Sequence, residues 1–450
     1  MTSFFQIPPV SRYWLCNARV PVALLEGSCN TVHFRQNDSL IEADIEVSDG
    51  KIVTLQPAGS VPKSVPESVP EYDGGSEAAI DIRSGLIWPC FVDMHTHLDK
   101  GHIWARSPNP TGTFEGALDA VSADSAQRWD AEDVYRRAEF GLRCSYAHGT
   151  QAVRTHLDAF DKQGAVSFEV FQQLKKTWAN KLVLQAVCLV TLECWMGPQG
   201  EQLADLVAGA GGILGGVAFS NPELVQQIDR VFALAKERNL DLDFHTDESL
   251  DPSDISLRHV AEAAVRHDFS RRITCGHCCS LSVQSEAERQ RTIEAVKAAG
   301  LSVVSLPMCN LYLQDRQRAQ TPRYRGVTVL HELKAAGVPV ALASDNCRDP
   351  FFAYGDHDGL EVFTQSARIG HLDHPIGEWP QAVTSVPAEM MGLQGVGKIG
   401  EGCSADFVVF KARSFNELLA RRQSDRVVIR QGKQIDTTLP DYAELDDLMV

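Results

Sequence analysis

Five polar residues, set far apart in the chain, each stand at the end of a short apolar run. They are His95, His97, His245, His277 and Asp345. A strand-plus-helix unit of a (β/α)₈ barrel averages about 30 residues, so the gap from His245 to His277 equals about one unit. The gap from His277 to Asp345 equals about two units, and the gap from His97 to His245 about four longer ones. The spacing predicts that these residues end strands 1, 5, 6 and 8 of one TIM-type barrel.

The first two histidines belong to a His-x-His pair that closes an apolar run. Side chains alternate between the two faces of a strand, so His95 and His97 point the same way. Catalytic groups in such barrels converge from the carboxyl ends of several strands. Each histidine alone is better explained as an ordinary core or surface residue, so the interpretation depends on the shared spacing of all five residues.

The middle of the chain alternates between strand patterns and helix patterns, which is typical of a parallel α/β sheet. Helical periodicity is clear in residues 224–235. The remaining candidate strands, numbered 2, 3, 4 and 7, are residues 152–156, 182–190, 212–218 and 302–306.

Both chain ends have the pattern of short antiparallel strands instead. Residues 41–47 alternate apolar and polar side chains before a Ser-Asp-Gly turn, and residues 405–410 and 426–433 repeat this character near the carboxyl end. We therefore predict a small β-sandwich domain built from both ends beside an α/β barrel. The predicted boundaries are 1–85 for its amino-terminal part, 86–395 for the (β/α)₈ barrel and 396–450 for its carboxyl-terminal part.

Composition excludes several classes of partner. The net charge is −17, which disfavours binding to a phosphate backbone. No run of about 18 apolar residues is present, so a transmembrane helix is not expected. The first residues lack the pattern of a secretory signal, and the 12 cysteines are dispersed. These features predict a cytoplasmic enzyme with reduced thiols that binds a small molecule rather than nucleic acid or membrane.

The predicted metal ligands are His95, His97, His245 and Asp345. Neutral imidazoles with one carboxylate suit zinc or iron(II) better than magnesium or calcium, which prefer oxygen ligands. A two-metal site would add a bridging lysine or glutamate at the end of strand 4, and residues 215–221 contain no lysine. We therefore expect one divalent metal ion.

Glu248 follows His245 by three residues and is the candidate proton shuttle. Ring deamination needs such a group, because a ring nitrogen gains a proton while water attacks the neighbouring carbon. His277 would orient the attacking water and stabilise the developing negative charge, and Asp345 could accept the water's proton. The alternative for Glu248 is an ordinary solvated carboxylate.

A Cys-x-x-Cys motif at Cys275–Cys278 could indicate a structural zinc site, but it is a weaker candidate than the histidine–aspartate set. A closed zinc site needs four ligands, usually as two paired half-sites, and no second Cys-x-x-Cys occurs in the sequence. The zinc nucleobase-deaminase signature, His-x-Glu with Pro-Cys-x-x-Cys, is also missing. Any deaminase here therefore belongs to another fold.

The segment 89–100, His245-Thr-Asp-Glu248, His277 and Ala343–Phe351 together resemble the amidohydrolase superfamily, most closely its bacterial cytosine deaminase branch. The likeness extends to residues 17–21, 112–116, 153–156 and 311–314. It implies a mononuclear (β/α)₈ hydrolase that uses iron or zinc, often forms homo-oligomers, and releases ammonia from a nitrogen heterocycle.

The resemblance places the substrate-binding residues at positions that differ from cytosine deaminases. Thr191, with Glu193 close by, stands where a glutamine reads the base, Asn346 replaces a carboxylate, and Phe351 replaces a stacking tryptophan. Such changes alter selectivity strongly, because a buried polar group without a partner is costly. The expected substrates are cytosine, 5-methylcytosine, isocytosine, a pterin or an aminotriazine.

Two alternatives remain open from sequence. Hydrolysis of a cyclic amide or an N-alkylamino-triazine could use the same site, and a barrel without activity could serve as a binding module. The missing strand 4 lysine and the presence of Glu248 favour deamination, and the complete ligand set disfavours an inactive barrel. Residues 100–116 either cover the site or form ordinary surface.

Overall fold

The computed structural model describes residues 4–27, 36–37, 39–61 and 78–450, and shows a mixed α/β protein. The amino-terminal strands are β1 (Arg12–Pro21), β2 (Gln36–Asn37), β3 (Leu40–Ser48), β4 (Lys51–Pro57), β5 (Ala78–Asp81) and β6 (Leu86–Pro89). The central strands are β7 (Phe91–Thr96), β8 (Thr150–Asp158), β9 (Val183–Leu189), β10 (Leu214–Ala218), β11 (Leu242–Thr246), β12 (Ile273–His277), β13 (Ser302–Ser305) and β14 (Val340–Leu342). The last strands are β15 (Phe407–Phe410), β16 (Val427–Arg430) and β17 (Lys433–Gln434).

Helices alternate with the central strands, as the periodicity of the sequence predicts. The first six are α1 (Phe114–Arg128), α2 (Ala131–Ala147), α3 (Gln163–Thr177), α4 (Pro198–Gly209), α5 (Leu224–Arg238) and α6 (Ser256–Arg266). The others are α7 (Glu286–Ala298), α8 (Pro307–Leu313), α9 (Leu330–Ala335), α10 (Gly359–Gly370), α11 (Ser385–Met390) and α12 (Phe415–Ala420). No helix in the described part of the chain is both long and apolar enough to cross a membrane.

The sequence explains where these helices begin and which face they bury. In α5 the apolar residues Leu224, Ile228 and Val231 recur every three or four positions and are buried, so one stripe faces the core. The helix α2 is capped by Asp130, whose carboxylate accepts a hydrogen bond from the Asp133 backbone N–H at 2.9 Å. Such a cap satisfies an amide that has no partner within the helix.

The central strands pair in parallel in two groups. The first group has the order β7-β8-β9, and the second has the order β10-β11-β12-β13-β14. Isolated parallel bridges connect Val187 of β9 with Ile213, and Thr191 with Val217 of β10. Another parallel bridge connects Thr96 of β7 with Asp345, just beyond β14. The carboxyl ends of the first and last central strands are therefore neighbours.

A second, mixed sheet combines strands from both ends of the chain. Its order is β17-β16-β15-β6-β1-β3-β2, with β4 also paired to β3 and β5 to β1. The antiparallel pairing of β15 with β6 places Phe407 opposite Pro89, immediately before β7. The sheet buries an apolar cluster that includes Ile45, Val409 and Ile429. The expected pairing of the two chain ends is thus present in one nine-stranded sheet.

Candidate active site

Four of the predicted site residues meet at the carboxyl ends of the central strands. His95 and His97 lie at the end of β7, His245 lies on β11, and Asp345 follows β14. The Asp345 Oδ1 atom is 3.2 Å from His97 Nε2 and 3.6 Å from His95 Nε2. The ring centroids of His95 and His245 are 4.7 Å apart. The Asp345 backbone N–H donates a hydrogen bond to the His95 carbonyl at 2.8 Å, which holds the two segments together.

The polar atoms of this cluster are buried without hydrogen bonds. Both ring nitrogens of His95 and His245, Nδ1 of His97 and both carboxylate oxygens of Asp345 have no hydrogen-bond partner. Each of these residues is at most 5% exposed. Buried polar atoms are nearly always satisfied by a hydrogen bond or a metal. The donor set of imidazoles and one carboxylate fits a divalent transition metal.

Burial also fixes the protonation of the cluster. It lowers the pKa of His95, His97 and His245 well below the usual range, and the neighbouring cationic groups lower it further. These imidazoles are therefore neutral at pH 7 and have lone pairs for a metal. Burial raises the pKa of the Asp345 carboxyl to about 7, which a bound cation would oppose.

A glycine makes room for the first histidine. A Cβ atom on Gly276 of β12 would lie 2.8 Å from Cε1 and 3.1 Å from Nδ1 of His95. Such a contact is too close for any side chain, so the residue before His277 has to be glycine for His95 to keep its place.

Glu248 and His277 form a pair beside the cluster. Their Oε1 and Nδ1 atoms are 3.1 Å apart, and Nε2 of His277 has no hydrogen-bond partner. The Asn310 amide donates to Glu248 Oε1 at 3.3 Å and lies 3.1 Å from His277 Nδ1. Burial lowers the pKa of His277, but Glu248, Asp345 and Asn310 together raise it by more, so the net shift is upward.

One cavity of about 830 Å³ opens over these groups. His97, His245, His277, Glu248 and Asp345 all contribute to its lining. The catalytic candidates from the sequence therefore face a common space that is large enough for a small molecule.

The predicted substrate-binding residues divide into two groups. Thr191, Asn346 and Phe351 line the cavity, but Glu193 does not. Glu193 is exposed in a short 3₁₀ helix, Leu192–Trp195, because the chain has already left β9 and turned outward. The Asn346 amide donates to Asp349 at 2.7 Å and so is held by its own loop.

Lys100 and Asp158 also line the cavity, although the sequence alone did not indicate a role for either residue. The Lys100 ammonium donates to Asp158 Oδ1 at 2.8 Å and lies 5.4 Å from the centroid of the Phe351 ring. Burial lowers the pKa of Lys100, but the carboxylates of Asp158, Asp99 and Asp349 together raise it by more. Asp158 ends β8 as the histidines end their strands, so its position could have been recognised from the strand pattern.

A group of buried polar residues lies under the cluster, and the sequence alone did not indicate a role for it. His156 of β8 lies against His95 with ring centroids 3.8 Å apart, and its Nε2 is 3.3 Å from Asp243 Oδ1. The Arg154 guanidinium donates to the other oxygen of Asp243 at 2.8 Å. This ion pair compensates the buried carboxylate and supports the floor of the site.

The segment 100–116 contributes to the cavity at both of its ends. Lys100 and Phe114 line the space, and the Phe114 ring contacts that of Phe351 at a centroid distance of 5.6 Å. Between them, the Asn109 amide donates to the carbonyls of Thr113 and Pro350 at 2.8 and 3.0 Å. The segment is therefore tied to the loop after β14.

The chain is similar over most of its length to several known proteins. The pterin deaminase of Rhizobium rhizogenes is 48% identical over 99% of this chain and 99% of its own length. The N-isopropylammelide isopropyl amidohydrolase of a Pseudomonas species is 24% identical over 81% of this chain and 89% of its own. The structure of 5-methylcytosine deaminase from Klebsiella pneumoniae, liganded with phosphonocytosine, superimposes with a TM-score of 0.78. It is 25% identical and covers 96% of this chain and 99% of its own.

The family model described as the amidohydrolase family matches residues 150–436, which is more than half of the chain. The matched range contains His245, Glu248, His277 and Asp345. The resemblance seen in the sequence motifs is confirmed: this chain belongs to the amidohydrolase family.

Proposed function

We propose that this protein is a metal-dependent deaminase that hydrolyses the exocyclic amino group of a pterin and releases ammonia. The observation that carries the proposal is the convergence of the imidazole–carboxylate cluster, Glu248 and His277 on one cavity. A metal cluster, a proton shuttle and an oxygen-stabilising group are the three parts that hydrolytic ring deamination requires.

The choice of a pterin among the heterocycles rests on two observations. A relative that matches almost the whole chain is a pterin deaminase. The cavity of about 830 Å³ is also far larger than a single pyrimidine ring requires, and it accommodates a two-ring heterocycle. The more distant similarity to a 5-methylcytosine deaminase supports the same fold and does not select the substrate.

We propose His95, His97, His245 and Asp345 as the ligands of one divalent ion, zinc or iron(II). Their unpartnered, buried and neutral donor atoms support this assignment. The ion supplies Lewis acidity, which makes water a nucleophile at neutral pH. In the part of the chain described here, the segment after β10 brings no lysine to the cavity, which favours one ion over two.

Glu248 would carry a proton from water to the ring nitrogen next to the carbon under attack. Its carboxylate lines the cavity and is held by Asn310, so it can reach both the water and the substrate. A second proton transfer to the exocyclic amino group then makes ammonia the leaving group.

His277 would hold the attacking water and stabilise the negative charge that develops on the oxygen. Its Nε2 has no other partner, and Glu248 at Nδ1 favours a protonated ring in the transition state. Such a preorganised donor acts strongly in a site that excludes water. Asp345, with both oxygens free of hydrogen bonds, would take the second proton of the water, which is the proton that the exocyclic amino group then receives.

Phe351, Lys100 and Thr191 would position the substrate. The Phe351 ring offers a stacking face, and the nearby Lys100 ammonium can donate to a ring carbonyl. Thr191 and Asn346 line the remaining wall. Glu193 has no part in this proposal, because it is exposed away from the cavity.

We further propose that the eight central strands close into a (β/α)₈ barrel, residues 86–395, beside a small β domain of residues 1–85 and 396–450. The bridges from β9 to β10 and from β7 to Asp345 support a closed order of strands. Hydrogen exchange would test it, because a closed barrel protects the β7 and β14 amides as strongly as those of β11.

The test is ammonia release by metal-replete protein from pterins, aminopyrimidines, aminopurines and aminotriazines. We expect the highest kcat/KM on a pterin. Release of an alkylamine from an N-alkylamino-triazine, with no ammonia from any ring, would instead establish the alternative hydrolase.

The Glu248→Gln variant is the control for this assay. It keeps the size of the side chain and removes its ability to carry a proton. Ammonia release that persists undiminished in this variant would refute the assigned proton shuttle, even if a pterin is the substrate.

A further inference from the structure

We propose that His102, Cys347 and His357 bind a second divalent ion, zinc, at a site separate from the catalytic cluster. The three side chains come from the loop after β7 and the loop after β14. Their donor atoms all lie within 4.8 Å of one another. The proposal does not depend on the substrate or on the deaminase activity.

The three residues are buried together. His102 is 5% exposed, His357 is 2% exposed and Cys347 is 1% exposed. The ring centroids of the two histidines are 5.5 Å apart, with an angle of 49° between the planes. Two imidazoles and a thiol at this separation form a soft donor set, which zinc prefers.

Both histidines lack hydrogen-bond partners entirely. Nδ1 and Nε2 of His102, and Nδ1 and Nε2 of His357, are all buried and unpaired. A buried polar group without a partner costs about 1–3 kcal/mol. Four such atoms on two adjacent rings are unusual in a folded protein, and a metal ion would satisfy one nitrogen of each ring.

The backbone holds the ligands in place. The His102 N–H donates to the Cys347 carbonyl at 3.0 Å, and the Trp104 N–H donates to the Arg348 carbonyl at 2.8 Å. His102 and His357 both have left-handed backbone, with φ of 64° and 54°. Such conformations in non-glycine residues cluster at ligand sites, where the surroundings impose them.

The protonation of the cluster suits a metal. Burial lowers the pKa of His102 well below its usual range and that of His357 to about 4, so both rings are neutral at pH 7. Burial raises the pKa of Cys347 well above its usual range, so its thiolate would form only as the metal binds, with the proton going to solvent. The nearby Asp356 carboxylate, which binds His148 and the Tyr442 hydroxyl, adds negative charge, while Arg348 lies over the Tyr442 ring.

Cys144 of α2 is a candidate donor for a fourth position. Its thiol is buried on the helix against which His357 rests. One turn earlier on the same helix, a Cβ atom on Gly141 would lie 2.9 Å from Nε2 of His357, so the ring rests on the helix backbone. Coordination needs donor separations of about 3.5 Å, so the loops would close by about 1 Å on binding.

Cobalt substitution distinguishes this site from the catalytic one. None of the four proposed catalytic ligands is a thiolate, so a near-ultraviolet thiolate-to-cobalt charge-transfer band reports the second site alone. The protein would be stripped with a chelator and loaded with cobalt(II), with metal content measured in parallel. We expect two ions per chain and the charge-transfer band in the unaltered protein.

Variants assign the band to the named residues. Cys347→Ser and His357→Asn should each abolish the band, with loss of one ion per chain. Cys16→Ser, at a half-buried cysteine of β1, is the matched control and should keep both. His97→Asn should lose the other ion and keep the band.

Two results would overturn the proposal. One is an unaltered protein that binds a single ion and shows no thiolate band. The other is a band that survives in Cys347→Ser. Because the first measurement uses the unaltered chain, the proposal stays testable even if a variant fails to fold.

Discussion

The carboxyl edge of the central strands and the mixed sheet are both buried, but they bury opposite kinds of side chain. The edge encloses imidazoles and a carboxylate that have no hydrogen-bond partners, such as His95, His245 and Asp345. The sheet encloses apolar side chains such as Ile45, Val409 and Ile429. The sheet therefore gains stability from burial, at about 25 cal/mol per Å² of apolar surface, while the edge loses it.

The mixed sheet therefore contributes stability, and the carboxyl edge of the central strands contributes the reactive groups. Unpaired polar atoms at the edge keep their lone pairs available for a metal and a substrate. The apolar cluster of the mixed sheet consists of aliphatic and aromatic side chains, and the sheet holds both chain ends against the start of β7. Changes at the edge should therefore affect activity first, and changes in the sheet should affect stability first.

Removal of metal should have the largest effect. We expect a chelator to abolish ammonia release and to lower the midpoint of thermal unfolding, because a metal that binds only the folded state stabilises it. The assay and the unfolding curve should both recover on adding back zinc or iron(II). Full activity in protein that metal analysis shows to be metal-free would contradict the catalytic role proposed for the carboxyl edge.

Glu248→Gln should have the second-largest effect. Loss of a general acid–base group costs about 10²–10⁴-fold in kcat. The unfolding midpoint should change little, because the amide keeps the contact with the Asn310 side chain or loses only one hydrogen bond. Steady-state kinetics and thermal unfolding on one preparation measure both. A large loss of stability with kcat preserved would assign Glu248 to structure instead.

Ile429→Ala, in the mixed sheet, should lower stability and leave activity nearly unchanged. Ile429 is fully buried, and truncation of such a residue costs about 2–5 kcal/mol of unfolding free energy. We expect kcat and KM at 25 °C to stay within about twofold of the unaltered enzyme as long as it remains folded. Urea unfolding and kinetics would check this, with Val53→Ala, at an exposed valine of β4, as the control.

The ion pair of Asp358 with Arg426 joins the two regions and should show the smallest effect. Both Arg426 terminal nitrogens donate to Asp358 at 2.7 Å. Burial raises the pKa of Asp358, but Arg426, His148 and the Leu360 backbone N–H together lower it by more, to about 2 from 3.8. These interactions together contribute about 2 kcal/mol above about pH 4, and this is lost as the pH falls toward 2.

Asp358→Asn tests this pH dependence. The variant should be less stable than the unaltered protein at pH 6, and the difference should shrink between about pH 4 and pH 2. Urea unfolding at several pH values would measure it. A difference that stays constant with pH would mean that Asp358 acts through its cap on α10 rather than through its charge.

The sequence predicted the residues at the carboxyl edge of the central strands better than the residues that surround them, and the reason is physical. His95, His245 and Asp345 each end an apolar run, and the repeat length of strand and helix places such ends together. Period-two alternation predicted the hairpin of β3 and β4 for the same kind of reason. These are local patterns whose consequence for the fold is general.

Contacts between distant loops were beyond sequence reasoning. The Lys100–Asp158 pair and the packing of His156 on His95 depend on side-chain direction, which a pattern along the chain does not give. Glu193 was expected near the substrate because it is close to Thr191, but the 3₁₀ helix after β9 turns it outward. The cluster of His102, Cys347 and His357 joins positions about 250 residues apart.

The bridge between Thr96 and Asp345 has a consequence for synthesis of the protein. His95 and His97 are made about 250 residues before Asp345, so the carboxylate can reach them only after all of that intervening chain has been synthesised. Contacts of such long sequence separation form late, because the chain between them must first be ordered. A growing chain therefore carries three imidazoles without their carboxylate, and metal capture is completed only when the last central strand docks.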